Sequence, residues 1–159
     1  MYRFSVAARL IATLFVLSLA QVAQGQTSLV VRPLQNLSFG FLLPGVATNV
    51  DAAAITRSGQ IQVEAALGTN FEVRFTLPTV MNGAGTTLPV SFGTTDGGAA
   101  PSASPASMQR FNPNTATRWL LVTTTRATFF LGGRASPRVG QPVGAYTAPI
   151  IVSITNLGV

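Results

Sequence analysis

Gln60–Leu77 reads QIQVEAALGTNFEVRFTL and contains two stretches of strict alternation. Before Gly68, Ile61, Val63, Ala65 and Leu67 are separated by Gln62, Glu64 and Ala66; after it, Phe71, Val73, Phe75 and Leu77 are separated by Glu72, Arg74 and Thr76. Successive side chains of an extended chain point to opposite faces, so a period of two marks a half-buried strand. The spacing predicts a hairpin with Gly68-Thr69-Asn70 as its three-residue loop, Asn70 taking the left-handed conformation such a loop needs. Leu67 would then face Phe71, Ile61 would face Leu77, and Glu64 would lie opposite Arg74. All the apolar side chains share one face in that arrangement. Glu64 and Arg74 are expected to pair on the solvent face, worth at most about 1 kcal/mol because exposed pairs are weak.

The same grammar continues outward. Leu29 and Val31 precede Pro33; Leu37, Phe39 and Phe41 alternate before the turn Pro44-Gly45; Leu88, Val90 and Phe92 alternate before Gly93. Trp119–Val122 and Thr128–Leu131 are β-branched or aromatic runs. The last strand is expected to carry Tyr146, Ala148, Ile150, Val152 and Ile154 on one face, with Pro149 arguing for an edge position or a bulge because it has no N–H to give a ladder. No helical period stands out after residue 25. Short strands with frequent turns predict an all-β antiparallel sandwich. Thr94–Ser107, TTDGGAAPSASPAS, is low in complexity and is expected to be an exposed loop, either a recognition tip or a tolerated insertion. Arg134–Gly144 reads as a second loop of that kind, and Gly97-Gly98 and Gly132-Gly133 read as turns.

The N-terminal 25 residues have the layout of an export signal. Arg3 and Arg9 give a positive start, Leu10–Ala20 is uncharged and apolar, and Ala23-Gln24-Gly25 resembles a cleavage site. A membrane anchor would need about 20 apolar residues, and Gln21 and Gln24 interrupt too early. The expected organisation is a signal peptide over 1–25 and one β-sandwich domain over 26–159, with no further membrane span. The expected location is the periplasm, the cell surface or the medium.

Composition narrows the chemistry. The chain has no His and no Cys, which excludes His-dependent triads, thiol nucleophiles, disulfides and imidazole or thiolate metal sites. All ten basic residues are Arg, and removing Arg3 and Arg9 leaves eight against Asp51, Glu64, Glu72 and Asp96. The surplus is uneven: residues 97–159 hold Arg110, Arg118, Arg126, Arg134 and Arg138 and no acid. Glu64 and Glu72 fall on solvent-facing positions, Asp51 precedes an Ala run, and Asp96 sits in a turn sequence. None has an apolar pocket that would raise its pKa for acid–base work. The expectation is a non-enzymatic protein with no cofactor and no metal. An exported location and the lack of an aromatic–basic platform also speak against nucleic acid.

The order of motifs carries a resemblance. Leu37-Ser38-Phe39-Gly40, then Pro44-Gly45, an alternating strand, Gly68, a strand closing in Leu77-Pro78, a strand ending Gly132-Gly133, and Gly144-Ala145-Tyr146 before the last strand resemble an exported bacterial family known as domain of unknown function 4402. The resemblance spans essentially all of 26–159. Gly-x-Tyr-Thr before a terminal alternating strand is also similar, more distantly, to spore coat protein U and to the pilin-like subunits of archaic chaperone-usher pili. The cysteines common in that group are missing, and the chain ends Asn156-Leu157-Gly158-Val159 without an aromatic. The resemblance implies an immunoglobulin-like, pilin-like sandwich and, by analogy, a part in a surface fibre or coat.

Two functional expectations follow. The first is a structural or adhesive surface protein joined to itself or to other subunits by strand addition, with a periplasmic chaperone if it is pilin-like. In that reading Thr27–Leu34 is the candidate donor strand, presenting Leu29 and Val31; the alternative is that it forms the first strand of its own sandwich. The second is a solitary module whose Arg110, Arg118, Arg126, Arg134 and Arg138 contact an anionic surface polymer, against the plainer role of scattered solubilising charge.

Overall fold

The computed structural model describes residues 28–158, so the signal sequence expected over 1–25 lies outside the described residues. Every strand pairing is antiparallel, and no α-helix is present among the described residues. A five-stranded sheet is ordered β1 (Val30–Gln35), β3 (Gly59–Glu64), β10 (Arg126–Leu131), β7 (Gly97–Ala100), β8 (Gln109–Phe111). A three-stranded sheet is ordered β12 (Ile151–Gly158), β4 (Asn70–Thr76), β9 (Thr117–Leu120). A four-stranded sheet is ordered β2 (Thr48–Val50), β11 (Gly133–Ala135), β6 (Thr86–Ser91), β5 (Val80–Gly83).

The five- and three-stranded sheets pack face to face as a sandwich. Val63, Ala99, Ala127, Phe129 and Leu131 from the first meet Phe71, Val73 and Phe75 from the second, all buried, with Ala65 just beyond β3 in the same core. Phe129 lies at the centre. Its ring meets Phe71, Phe111 and Trp119 edge-on, with centroids 6.0, 6.1 and 5.9 Å away, the arrangement that ring quadrupoles favour. A second core, of Phe39, Val50, Leu88, Val90 and Ala135, lies against the four-stranded sheet. The chain passes from one sheet to the other at Gly132, between β10 and β11. A Cβ there would lie 2.3 Å from the Val50 carbonyl oxygen and 2.7 Å from the Ala52 nitrogen, so only glycine fits the crossing.

The hairpin expected over residues 60–77 does not form. β3 pairs with β1 and β10, whereas β4 pairs with β12 and β9 in the opposite sheet. Residues 65–69 arch between the sheets, with Ala65 N–H donating to Thr125 O (3.0 Å) and Gly68 N–H to Leu121 O (2.8 Å). The apolar faces of β3 and β4 therefore meet across the core instead of lying side by side, and Leu67 is exposed. The Glu64–Arg74 pair is lost with the hairpin. Glu64 lies between Arg32 (3.6 Å) and Arg126 (3.5 Å) on its own sheet, and Glu72 lies between Arg74 (3.9 Å) and Arg118 (3.8 Å) on the other.

Thr94–Ser107 is also more than a loop. Gly97–Ala100 forms β7, wholly buried between β10 and β8. Small residues are what this place needs: a Cβ on Gly97 would meet the Phe111 ring at 2.6 Å, and one on Gly98 would meet Met108 Sδ at 2.0 Å. Gly97-Gly98 and Gly132-Gly133 are thus strand and crossing residues, while Asp96 does close a turn, accepting from Gly93 N–H (2.6 Å). The run Leu37, Phe39, Phe41 is not a strand, since Gly40 takes a φ of 69° and breaks the alternation. Arg134 belongs to β11 and not to a loop. The last strand is shorter than expected because Pro149 divides it. Thr147 pairs with Asn82 on β5, and β12 begins only at Ile151, on the edge of its sheet.

Candidate functional site

β1 and β12 are the outermost strands of the two sandwich sheets, so each has one unpaired backbone edge. The C-terminal end of β1 and the start of β12 rim a seam of about 160 Å³, with Pro33, Gln35 and Leu37 on one side and Ile150 and Val152 on the other. Its floor is the sandwich core itself: Ile61, Phe75, Phe129 and Leu131. Each rim has a local cause. β1 carries Pro33, which cannot donate and so suits an edge, and its register to β3 shifts between Pro33 and Gln35. β12 alternates, with Val152 and Ile154 half-buried on the core and Ile151, Ser153 and Thr155 exposed. An extended segment laid along β12 would add a fourth strand to the three-stranded sheet and drop alternate apolar side chains into the seam.

The candidate donor residues lie on the β1 side. Leu29 packs against the main core, and Val31, opposite Val63 in the ladder, is exposed at the sheet edge. β1 is the most solvent-exposed strand of its sheet, held on one side only.

Of the five arginines proposed for anion contact, four lie on strands of all three sheets and Arg138 on the loop after β11, so they are not gathered into one site. Arg118 is in β9 beside Glu72, and Arg126 is in β10 beside Glu64. Arg110, in β8, donates to Asp51 Oδ1 at 2.6 Å and to Thr95 O at 3.1 Å. That guanidinium and the Ala53 N–H (2.7 Å) hold the Asp51 carboxyl below the ordinary aspartate range, partly offset by desolvation. Arg134 and Arg138 are exposed and in no ion pair among the described residues. Composition in the C-terminal half had suggested one basic surface. Folding brings acids from the N-terminal half onto three of the five.

Acid–base chemistry has little to work with here. None of the four carboxylates lines the seam, and three of them are ion-paired. Among the described residues, no three His, Cys, Asp or Glu side chains converge as metal ligands. No helix among the described residues is long and apolar enough to cross a membrane. No protein-family model matches the chain, and no curated protein matches it.

Proposed function

We propose that this chain is an exported, non-enzymatic structural or adhesive protein of the cell surface, with a pilin-like immunoglobulin sandwich that joins to others by strand addition. The open apolar seam between the unpaired edges of β1 and β12 carries this reading. A strand added there gains main-chain hydrogen bonds from β12 and buries alternate side chains against Ile61, Phe75 and Phe129. The donor is the segment 27–34 of a neighbouring copy, with Leu29 and Val31 as its apolar side chains. β1 is suited to leave its own sheet because it is exposed, edge-bound and interrupted by Pro33. The resemblance to the exported family noted above agrees with a fibre or coat role in the periplasm or at the surface, where a chaperone would guard the open edge before assembly.

The test is gel electrophoresis of material sheared from the native host, unheated and boiled, with immunoblotting. A multimer ladder that collapses only on boiling is expected, and Ile150→Asp, at the seam rim, should abolish it while thermal unfolding shows a folded protein. A single monomer band in both lanes would overturn strand-linked assembly.

A further inference from the structure

Beyond the seam, which they meet at Leu37, two loops cap the second core: residues 36–47 and 136–146. They are held to each other, with Gly45 N–H donating to Arg138 O at 3.1 Å, and a Cβ on Gly45 would meet the Val139 side chain at 3.0 Å. The second loop is also pinned internally. Tyr146 Oη donates to Pro142 O and accepts from Gln141 Nε2, both at 2.8 Å. Between the loops opens a cleft of about 610 Å³ whose floor includes Leu37, Phe39, Met81 and Leu88.

The outer side of these formed loops is unusual for a water-facing surface. Phe41, Val139 and Val143 are essentially fully exposed, and Leu43 and Val46 are more than half exposed. Loop tips are ordinarily polar, and clustered apolar exposure marks a contact surface. Charge says of what kind. Neither loop contains a carboxylate, and Arg138 stands among the apolar tips without an ion pair. By contrast, Arg32, Arg74, Arg110, Arg118 and Arg126 are each paired with an acid elsewhere in the molecule.

We propose that this end of the molecule docks on an anionic lipid bilayer, with Phe41, Leu43, Val139 and Val143 entering the headgroup boundary and Arg138 meeting lipid phosphates. Protruding single side chains suit a deformable partner better than a flat one. A second copy meeting through the same end would set Arg138 against its own image with no loop carboxylate to neutralise either. Surface phosphates supply the missing counter-charge, and the Arg stem can lie along the apolar boundary while its guanidinium stays at the headgroups. This inference stands on residues the seam does not use, so either can fail without the other.

Vesicle flotation of the full chain tests it, with phosphatidylcholine vesicles alone and with about one quarter phosphatidylglycerol. Flotation with the anionic vesicles is expected, and Phe41→Ser combined with Val143→Ser should weaken it at least about tenfold, as loss of two inserted side chains requires. Because both side chains are already exposed, this variant should keep the wild-type unfolding temperature. Arg138→Gln should weaken binding to anionic vesicles only, and salt at about 1 M, where screening is short-ranged, should weaken the wild type in the same way. Absence of flotation with either vesicle, or flotation unchanged in the double variant, would overturn the proposal. So would a self-associated species in sedimentation that the double variant abolishes, since a second copy would then occupy the surface.

Discussion

Thr128 sits in β10, fully buried between β3 and β7, and its hydroxyl has no hydrogen-bond partner; Thr69 shares that state at the arch between the sheets. A buried hydroxyl without a partner has lost its water and gained nothing in return. Thr128→Val keeps the β-branched shape and removes the orphan group, so it should raise stability by about 1 kcal/mol, measured as a shift in urea midpoint without a change in slope. Asp51 makes an opposite case. Its folded pKa is depressed by Arg110 and the Ala53 N–H, so its contribution is present above the ordinary aspartate range and is lost as pH falls through the folded value. The pair is largely exposed, which limits it to about 0.5 kcal/mol. Asp51→Asn should therefore be slightly less stable than wild type at neutral pH, with the difference vanishing in acid. An equal difference at both ends of the titration would refute this. Neither feature could be read from sequence, because each depends on a neighbour far along the chain: Arg110 lies 59 residues from Asp51.

The elements show where periodicity is informative and where it stops. Alternation in residues 60–77 identified the buried faces of β3 and β4 correctly, since Val63, Ala65, Phe71, Val73 and Phe75 are all core. It could not distinguish a hairpin from an arch, because both bury the same alternate residues. In the arch, the carbonyls of Thr125 and Leu121 take backbone donors of the linking segment. β7 was invisible for a different reason. Gly97-Gly98-Ala99-Ala100 has almost no apolar surface of its own, and its burial follows from Phe111, Met108 and Phe130 closing over it. The same logic makes the crossing between β10 and β11 fragile. Gly132→Ala forces a methyl into the Val50–Ala52 backbone, and it should destabilise by about 3 kcal/mol, the upper range for overpacking a tight core. Thermal unfolding of that variant against Gly140→Ala, where a Cβ meets nothing within 4 Å but φ is 78°, separates the clash from the general loss of a glycine.

At the scale of the whole molecule, the sandwich leaves a seam unclosed and an apolar loop end uncovered, and the two meet at Leu37. Deleting residues 26–32 tests how the first relates to assembly. It removes Val30, Val31 and Arg32, half of the exposed strand β1, and leaves the central pairings of β3 with β10 and of β4 with β9 and β12 intact. The expected product is a folded monomer with reduced stability that forms no ladder. Loss of the fold would mean that β1 is indispensable to its own sheet and is not a donor. The seam itself was not legible beforehand, because unpaired edges are properties of strand order, not of any strand's sequence. Pro33 and Pro149 gave a partial signal: one lies in an edge strand, and the other divides the last strand just before its edge.

The sequence alone determined the all-β class, the inward faces of β3, β4, β6 and β12, and the poverty in titratable and metal-binding groups, because these follow from side-chain periodicity and inventory. The tertiary structure alone decided which strands are neighbours, that glycine and alanine would form a buried strand, which arginines meet carboxylates, and where backbone edges and apolar tips remain open. Those properties depend on residues far apart in the chain, and antiparallel pairing can satisfy the same local pattern in more than one order.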